Sequence, residues 1–231
     1  MKKTLFFIIT VLYTFNLSAQ FSKGDMLISV DGNYSKTHRV SGVTTNLFNS
    51  NEKNLNLGAS MGFFLNNHVL LGFGVDYSWE KATHMNMLSL DEKIQVEEMN
   101  TKTNLILPNA FVGFYYPIME RLYFNTNLKL SYGVAKSDYN TFYAGASNMI
   151  DTDQLQNVTP PYAKNSEGDN NYDYFSAQIC PEITWFATSK LGLSLGLGGI
   201  GYAITDWESD TSSWMVNFNP NVWKLGVKIR L

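Results

Sequence analysis

The chain has 231 residues and a formal net charge of −3, with 17 Lys and Arg against 20 Asp and Glu. A mildly acidic chain without basic clusters gives no reason to propose nucleic acid as a partner. The single cysteine, Cys180, cannot form an internal disulfide, and one thiol supports neither a zinc site nor a nucleophile. We interpret it as a filler residue on a strand.

The first 19 residues have the pattern of a secretory signal peptide. Lys2 and Lys3 precede the apolar run TLFFIITVLYTF, and the small residues Ser18 and Ala19 follow it. The alternative, an uncleaved membrane anchor, would need a longer apolar run to cross a bilayer. We therefore predict a signal peptide over 1–19, cleavage after Ala19 and one exported domain over 20–231.

From residue 23 onward, apolar and polar residues alternate with period two, which is the pattern of strands with two different faces. The first strand is predicted over 23–36. The stretch 37–53 is polar and turn-rich, which predicts a long loop. A hairpin follows over 54–79, with a tight turn at 66–68.

A second hairpin is predicted from 101–116 and 122–136, joined by a short connection. Pro108 requires a bulge or an irregular rung in its first arm, because proline cannot donate to the ladder. The preceding stretch, 82–99, either forms a short helix or extends the flanking strands. The stretch 137–171, rich in Asn, Asp, Ser, Gly and Pro, is predicted to be the longest connection.

A third hairpin is predicted from 172–186 and 191–205, and after a loop near 207–213 a last strand runs to the end of the chain. In 191–198 leucine alternates with glycine and serine, which would be a rare filling for the inner face of a soluble core. The last strand alternates apolar residues with Lys224, Gly226, Lys228 and Arg230. Its inner face is therefore expected to be cationic.

The sequence thus predicts eight strands, whose connections alternate between long and short. An up-and-down meander with its short turns at one end is the simplest topology for this order. The arms exceed the roughly five or six residues usual in soluble sheets and are long enough to cross a bilayer at a tilt. Because backbone groups in lipid must all be paired, the first strand must pair with the last. We predict an all-β fold, an eight-stranded antiparallel up-and-down transmembrane β-barrel.

Aromatic residues gather near the strand ends, which predicts two girdles around an apolar band. The girdle at the short turns consists of Phe63, Phe64, Tyr115, Tyr116, Tyr123, Phe124, Trp185 and Phe186. The girdle at the long loops consists of Tyr34, Tyr77, Trp79, Tyr132, Tyr174 and Trp214.

Four segments carry a resemblance to a known family: the leader ending LSAQ, the hairpin GFFLNNHVLLGFGVDYSW, the strand NAFVGFYYPI and the closing alternation VWKLGVKIRL. With these, nearly the whole mature chain resembles the small outer-membrane β-barrels of the OmpA and OmpX type, in the form common in Bacteroidetes-like bacteria. The resemblance implies a Gram-negative outer membrane, short turns in the periplasm and long loops outside the cell. It also implies outer-membrane lipid as the surroundings and the barrel-insertion machinery as a partner during biogenesis.

An eight-stranded barrel has an interior just wide enough for its own side chains, so a generous aqueous pore is not expected. The inner face is predicted to carry charges of both signs: Asp31, Asp76, Glu80, Lys129, Glu182, Lys224, Lys228 and Arg230. Pairing among these charges would relieve the cost of burying them. Two interpretations stay open, a plug of salt bridges and a gate that conducts when pairs exchange.

No catalytic residue, cofactor or metal ligand is predicted. Ser35 or Ser41 beside His38 could form a hydrolase pair at the outer rim, but the sequence indicates no third orienting group. The acidic residues of the longest connection lack the spacing of a calcium loop and indicate a solvated face.

The sequence predicts a monomeric, non-enzymatic barrel with a structural role or a role in binding an extracellular ligand or surface through its loops. The alternative is a small-solute, porin-like channel, and further rivals are a lipid-modifying hydrolase and a soluble lipocalin-like barrel. In the hairpin over 54–79, Phe73 is expected to contact lipid and Gly74 to face the interior. Phe73→Arg should then impair insertion, whereas Gly74→Ser should be mild.

Overall fold

The computed structural model describes residues 21–43, 46–90, 93–147, 162–205 and 211–231. These ranges are almost entirely antiparallel strand, and they contain no helix long and apolar enough to cross a membrane. The predicted signal peptide lies outside the described residues.

The strands form one closed sheet. Six long strands come first: β1 (Met26–Val43), β2 (Asn46–Phe64), β3 (Val69–Leu90), β4 (Lys93–Met119), β5 (Leu122–Ser147) and β6 (Tyr162–Phe186). Four short ones follow: β7 (Leu191–Gly196), β8 (Gly199–Thr205), β9 (Thr211–Asn217) and β10 (Lys224–Arg230). β1 to β6 pair in sequence order, β6 pairs with both β7 and β8, and β10 pairs with β7 and with β1. β7 and β8 together form the seventh arm of the ring, and β9 and β10 together form the eighth and last arm. The prediction of an eight-stranded antiparallel barrel is therefore confirmed.

The seventh arm of the barrel is broken at Leu197 and Gly198. Gly198 has a φ of 90°, in the left-handed region that favours glycine. The pairing with β6 shifts by one residue between β7 and β8, which reverses the two faces. Gly201 and Ala203 are therefore buried, and the prediction of one uninterrupted arm over 191–205 is wrong.

The last arm is interrupted as well. Residues 218–223 bulge between β9 and β10 and include a 3₁₀ turn at Pro220–Val222. The side-chain amide of Asn33 donates to the carbonyl of Asn221 at 3.0 Å and holds this bulge against β1. Pro220 cannot donate to a ladder, which explains why the predicted continuous last strand does not form.

Pro108 of β4 leaves the register of its neighbours unchanged. The pairs Ile106↔Val134 and Asn109↔Ser131 keep one register on either side of it, with no rung at Pro108 between β4 and β5. Of the two predicted alternatives, a bulge and an irregular rung, the structure has the irregular rung.

The connections predicted as long loops are largely strand. The ladders continue outward to Val43↔Asn46, Leu90↔Lys93 and Gly145↔Tyr162. The prediction of a loop over 37–53 is therefore wrong, and 82–99 extends the flanking strands. The stretch 137–171 is strand at both ends, and residues 148–161 lie outside the described residues. The stretch 37–53 resembles a loop in sequence because its strands carry mostly polar residues on both faces.

The extensions form an open sheet of six strands, which we call the projection. It comprises residues 34–43, 46–55, 79–90, 93–104, 136–147 and 162–171. Within the described residues, β1 pairs here with β2 alone and β6 pairs with β5 alone. The described part of the projection therefore has two unpaired strand edges, one on β1 and one on β6.

The outer face below the projection is an apolar belt, and at Gly74 the inner face has no room for a side chain. Phe73 is 56% exposed, Leu130 51% and Leu225 72%. On the inner face, a Cβ added at Gly74 would lie 2.7 Å from the carbonyl oxygen of Ala59 and 2.8 Å from Ser60 Cβ. The expectation that Gly74→Ser is mild is therefore wrong, because the space needed by a side chain is already filled.

Candidate functional site

The short-turn end of the barrel is filled by five aromatic side chains, which we call the aromatic plug: Phe21, Phe64, Tyr115, Tyr123 and Phe186. Phe21, which precedes β1, contacts the other four rings. It stacks on Phe64 with ring centroids 4.1 Å apart and meets Tyr123 at 4.9 Å. Each ring of the plug is at most 2% exposed. Stacked and edge-on contacts of this kind stabilise beyond the burial of apolar area alone.

The aromatic plug corrects the predicted girdle at the short turns. The eight aromatic residues of that girdle form four adjacent pairs, and successive strand side chains point to opposite faces. One member of each pair is exposed by 37–57%: Phe63, Tyr116, Phe124 and Trp185. The other member is buried: Phe64, Tyr115, Tyr123 and Phe186. Sequence reasoning missed this inner layer and Phe21 with it, although the adjacent pairs were a usable signal.

Phe21 is held in place by the segment that leads into β1. The Gly24 N–H donates to the carbonyl of Phe64 at 2.9 Å. Asp25 pairs with Arg230 at 2.7 Å, and the Arg230 guanidinium lies 5.5 Å from the Phe21 ring centroid. Arg230, predicted as an inner charge, thus lies at the short-turn rim and orders the segment that carries Phe21.

A buried ion pair lies against the plug. Lys228 Nζ lies 2.9 Å from Glu182 Oε1 and donates to the hydroxyl of Tyr115 at 3.0 Å. The side chains of Lys228 and Glu182 are 4% and 14% exposed. Asn125 donates a further hydrogen bond to Glu182 at 3.0 Å. The pair is therefore well satisfied, as a buried pair must be to offset its desolvation.

A second cluster of charges lies higher in the interior. Lys129 Nζ is 2.7 Å from Asp76 Oδ2, which also accepts from the Asn109 amide at 2.9 Å. Lys224 bridges Asp31 at 3.4 Å and Asp76 at 3.8 Å. Two carboxylates and two ammonium groups thus compensate one another across the interior.

Glu80 is the candidate inner charge that forms no ion pair among the described residues. It lies at the start of the projection, where the sheet is open. Loss of surrounding water raises the pKa of its carboxyl, the charge of Glu52 raises it further, and His84 lowers it. Glu80 therefore belongs to the open end and not to the paired interior.

The interior between the plug and the projection contains a cavity of about 430 Å³. Asp76, Lys129, Leu107 and Cys180 are among the residues that line it. In the part of the chain that the structure describes, no group of three or more His, Cys, Asp or Glu is placed to hold a metal ion.

The hydrolase pair considered from the sequence is not assembled. Ser35 and Ser41 each lie three residues from His38 on β1, so the serines and the histidine point to opposite faces of the strand.

The chain is similar to several solved structures at low identity. For the attachment invasion locus protein Ail of Yersinia pestis, the identity is 14% and the TM-score 0.35, covering 90% of this chain and 99% of Ail. For the N-terminal β-barrel domain of Pseudomonas aeruginosa OprF, the identity is 12% and the TM-score 0.33, covering 91% of this chain and 100% of that domain. No family model and no curated protein matches the chain. The assignment of this chain to a barrel fold rests on its own strand pairing.

Replacing Phe21 by alanine should lower the free energy of unfolding by about 3–5 kcal/mol, because it leaves a cavity at the centre of the aromatic plug. Urea unfolding of the chain in lipid vesicles measures this loss. Phe63→Ala is the control, since Phe63 is 47% exposed and solvent or lipid can fill the space it leaves. Equal losses for the two variants would contradict the role of the plug.

Lys228→Met should destabilise the chain by about 3–5 kcal/mol, because Glu182 would keep a buried charge without its cation. Adding Glu182→Gln should restore much of this loss, since the second change removes the unpaired charge and keeps an acceptor for Asn125. The same unfolding measurement tests both variants. A double variant no more stable than Lys228→Met would show that charge compensation is not what Lys228 provides.

Proposed function

We propose that this chain is a monomeric outer-membrane protein whose interior is closed by side chains and whose projection binds a ligand or surface outside the cell. The apolar belt supports the membrane location. Soluble monomers rarely expose contiguous apolar patches of this kind, and a closed sheet is what lipid requires of a β-structure. The short-turn end would face the periplasm and the projection the exterior.

The binding role is inferred from one feature of the structure, the projection. Its strands continue well beyond the apolar belt, although a membrane span needs only about 9–11 residues per strand. Among its described residues the edges of β1 and β6 are unpaired, and unpaired strand edges can pair with an extended segment of another molecule. A rigid scaffold that presents such a surface is suited to binding.

The aromatic plug and the two groups of paired charges argue against the porin-like alternative. The plug closes the periplasmic end, and the charges above it compensate one another in pairs. Steady conductance of the wild-type chain in planar bilayers would contradict a closed interior and favour the channel.

Phe73→Arg should lower the stability of the inserted barrel by about 2–4 kcal/mol, because it places a cation on the lipid face near the middle of the bilayer. Folding into lipid vesicles, followed by tryptophan fluorescence and urea titration, measures the change. Gly196→Ala is a suitable inner-face control, since its new Cβ would meet Lys224 Cβ at 3.6 Å, an ordinary contact. Recovery of Phe73→Arg as a stable soluble protein would contradict the membrane location.

Shortening the projection should abolish binding to an extracellular surface and leave the barrel in the membrane. The register allows three deletions that leave directly paired residues at the cut. Removal of 40–49 leaves Arg39 opposite Ser50, removal of 85–98 leaves His84 opposite Met99, and removal of 141–166 leaves Asn140 opposite Glu167. An Asn-Gly turn can close each shortened hairpin. Attachment of cells that produce each variant is compared on a panel of protein- and polysaccharide-coated surfaces.

The control for this series is the amount of folded barrel in the outer membrane fraction, together with resistance of the envelope to detergent. Loss of attachment at equal barrel content supports the binding role. Loss of envelope integrity without any change in attachment would favour a structural role.

A further inference from the structure

Four lysines lie side by side on the outer face of the projection. The register places Lys36 of β1 opposite Lys53 of β2, Lys53 opposite Lys81 of β3, and Lys81 opposite Lys102 of β4. We call these four residues the lysine row. At the usual distance between strands, the row is roughly 14 Å long.

The lysine row concentrates positive charge on β1–β3, and at its β4 end Lys102 lies opposite Asp138 of β5. All four side chains are exposed, and within the described residues none lies within ion-pair distance of a carboxylate. On β5 and β6 the same row continues with Asp138 and Asp169, so the cationic part is confined to β1–β4. Like charges directly opposite one another destabilise a sheet. A partner of opposite charge would relieve that cost.

The position of the lysine row indicates which partner fits. The next outward-facing residue toward the barrel is two positions away on each strand. These residues are Tyr34 of β1, Leu55 of β2 and Trp79 of β3, and they lie opposite one another. Two residues along a strand correspond to roughly 7 Å. Aromatic side chains at the edge of an apolar belt mark the level of the lipid headgroups. The lysines therefore lie just outside the headgroup level, and their long side chains can reach back to headgroup phosphates.

We propose that the lysine row binds the phosphate groups of anionic lipid in the leaflet on the projection side. The proposal rests on the proposed membrane location. An ammonium group binds phosphate as a point charge. The strand register sets the spacing of the four lysines before lipid binds, so that the remaining ordering cost is that of their side chains. A sulfated polysaccharide would also match the charge, but the row of Tyr34, Leu55 and Trp79 directly beneath the lysines favours lipid.

The test uses the full chain reconstituted in phosphatidylcholine vesicles with and without phosphatidylglycerol. Spin-labelled lipids report the preference of the barrel surface for the anionic lipid over the zwitterionic one. Replacing Lys53 and Lys81 by glutamine should lower this preference at least about fivefold, given the attraction of each lysine near an anionic surface. The wild-type preference should also fall as salt is raised.

The matched control replaces Lys23 and Lys190 by glutamine, which removes two exposed lysines from the opposite end of the barrel. This control should keep most of the wild-type preference. An unchanged preference after Lys53→Gln and Lys81→Gln, or an equal fall in the control, would overturn the proposal. Loss of heparin binding by the Lys53→Gln and Lys81→Gln variant, with lipid preference intact, would assign the row to a polysaccharide and overturn it as well.

Insertion is measured in the same samples by protection of the barrel from protease. Failure of the wild-type chain to insert would count against the membrane location itself. Normal insertion without lysine-dependent lipid preference would count against the lysine row alone. The variant should be folded, because removing two lysines relieves like-charge repulsion across β2 and β3.

Discussion

Closure of the sheet between β1 and β10 is the constraint on which the rest of the barrel depends. Six antiparallel pairs, from Leu27↔Arg230 to Gly32↔Leu225, remove the edges that the first and last strands would otherwise expose. Backbone groups beside lipid need such partners. Above Gly32 the two arms separate, and the bulge at 218–223 is attached there by the bond from Asn33 to Asn221. The end of closure thus marks the change from barrel to projection.

The interior is organised by the requirement that buried charges and rings find partners. Lys228 joins two layers, since it pairs with Glu182 and donates to Tyr115 of the aromatic plug. At the rim, Arg230 ties the chain segment before β1 to the last strand through Asp25. Charged residues on the inner face of the last strand therefore also hold the segment before β1 in place.

Charges are arranged differently in the interior and on the projection. In the interior, charges of opposite sign compensate one another at short distances. On the outer face of the projection, Lys36, Lys53, Lys81 and Lys102 lie in one row, and among the described residues none of them is within ion-pair distance of a carboxylate.

The sequence by itself determined the strand count, the two-faced alternation and the closed antiparallel topology, because side chains on a strand alternate faces whatever the surroundings. It also placed Asp31, Asp76, Lys129, Glu182, Lys224 and Lys228 on inner faces. Only the tertiary structure decided which of these charges pair, that Phe21 enters the plug, that Gly198 reverses two faces and that four lysines align. These features depend on the register between strands that are far apart in the chain. Period-two alternation sets the face on which a residue lies, but it does not set which residue of the adjacent strand lies opposite.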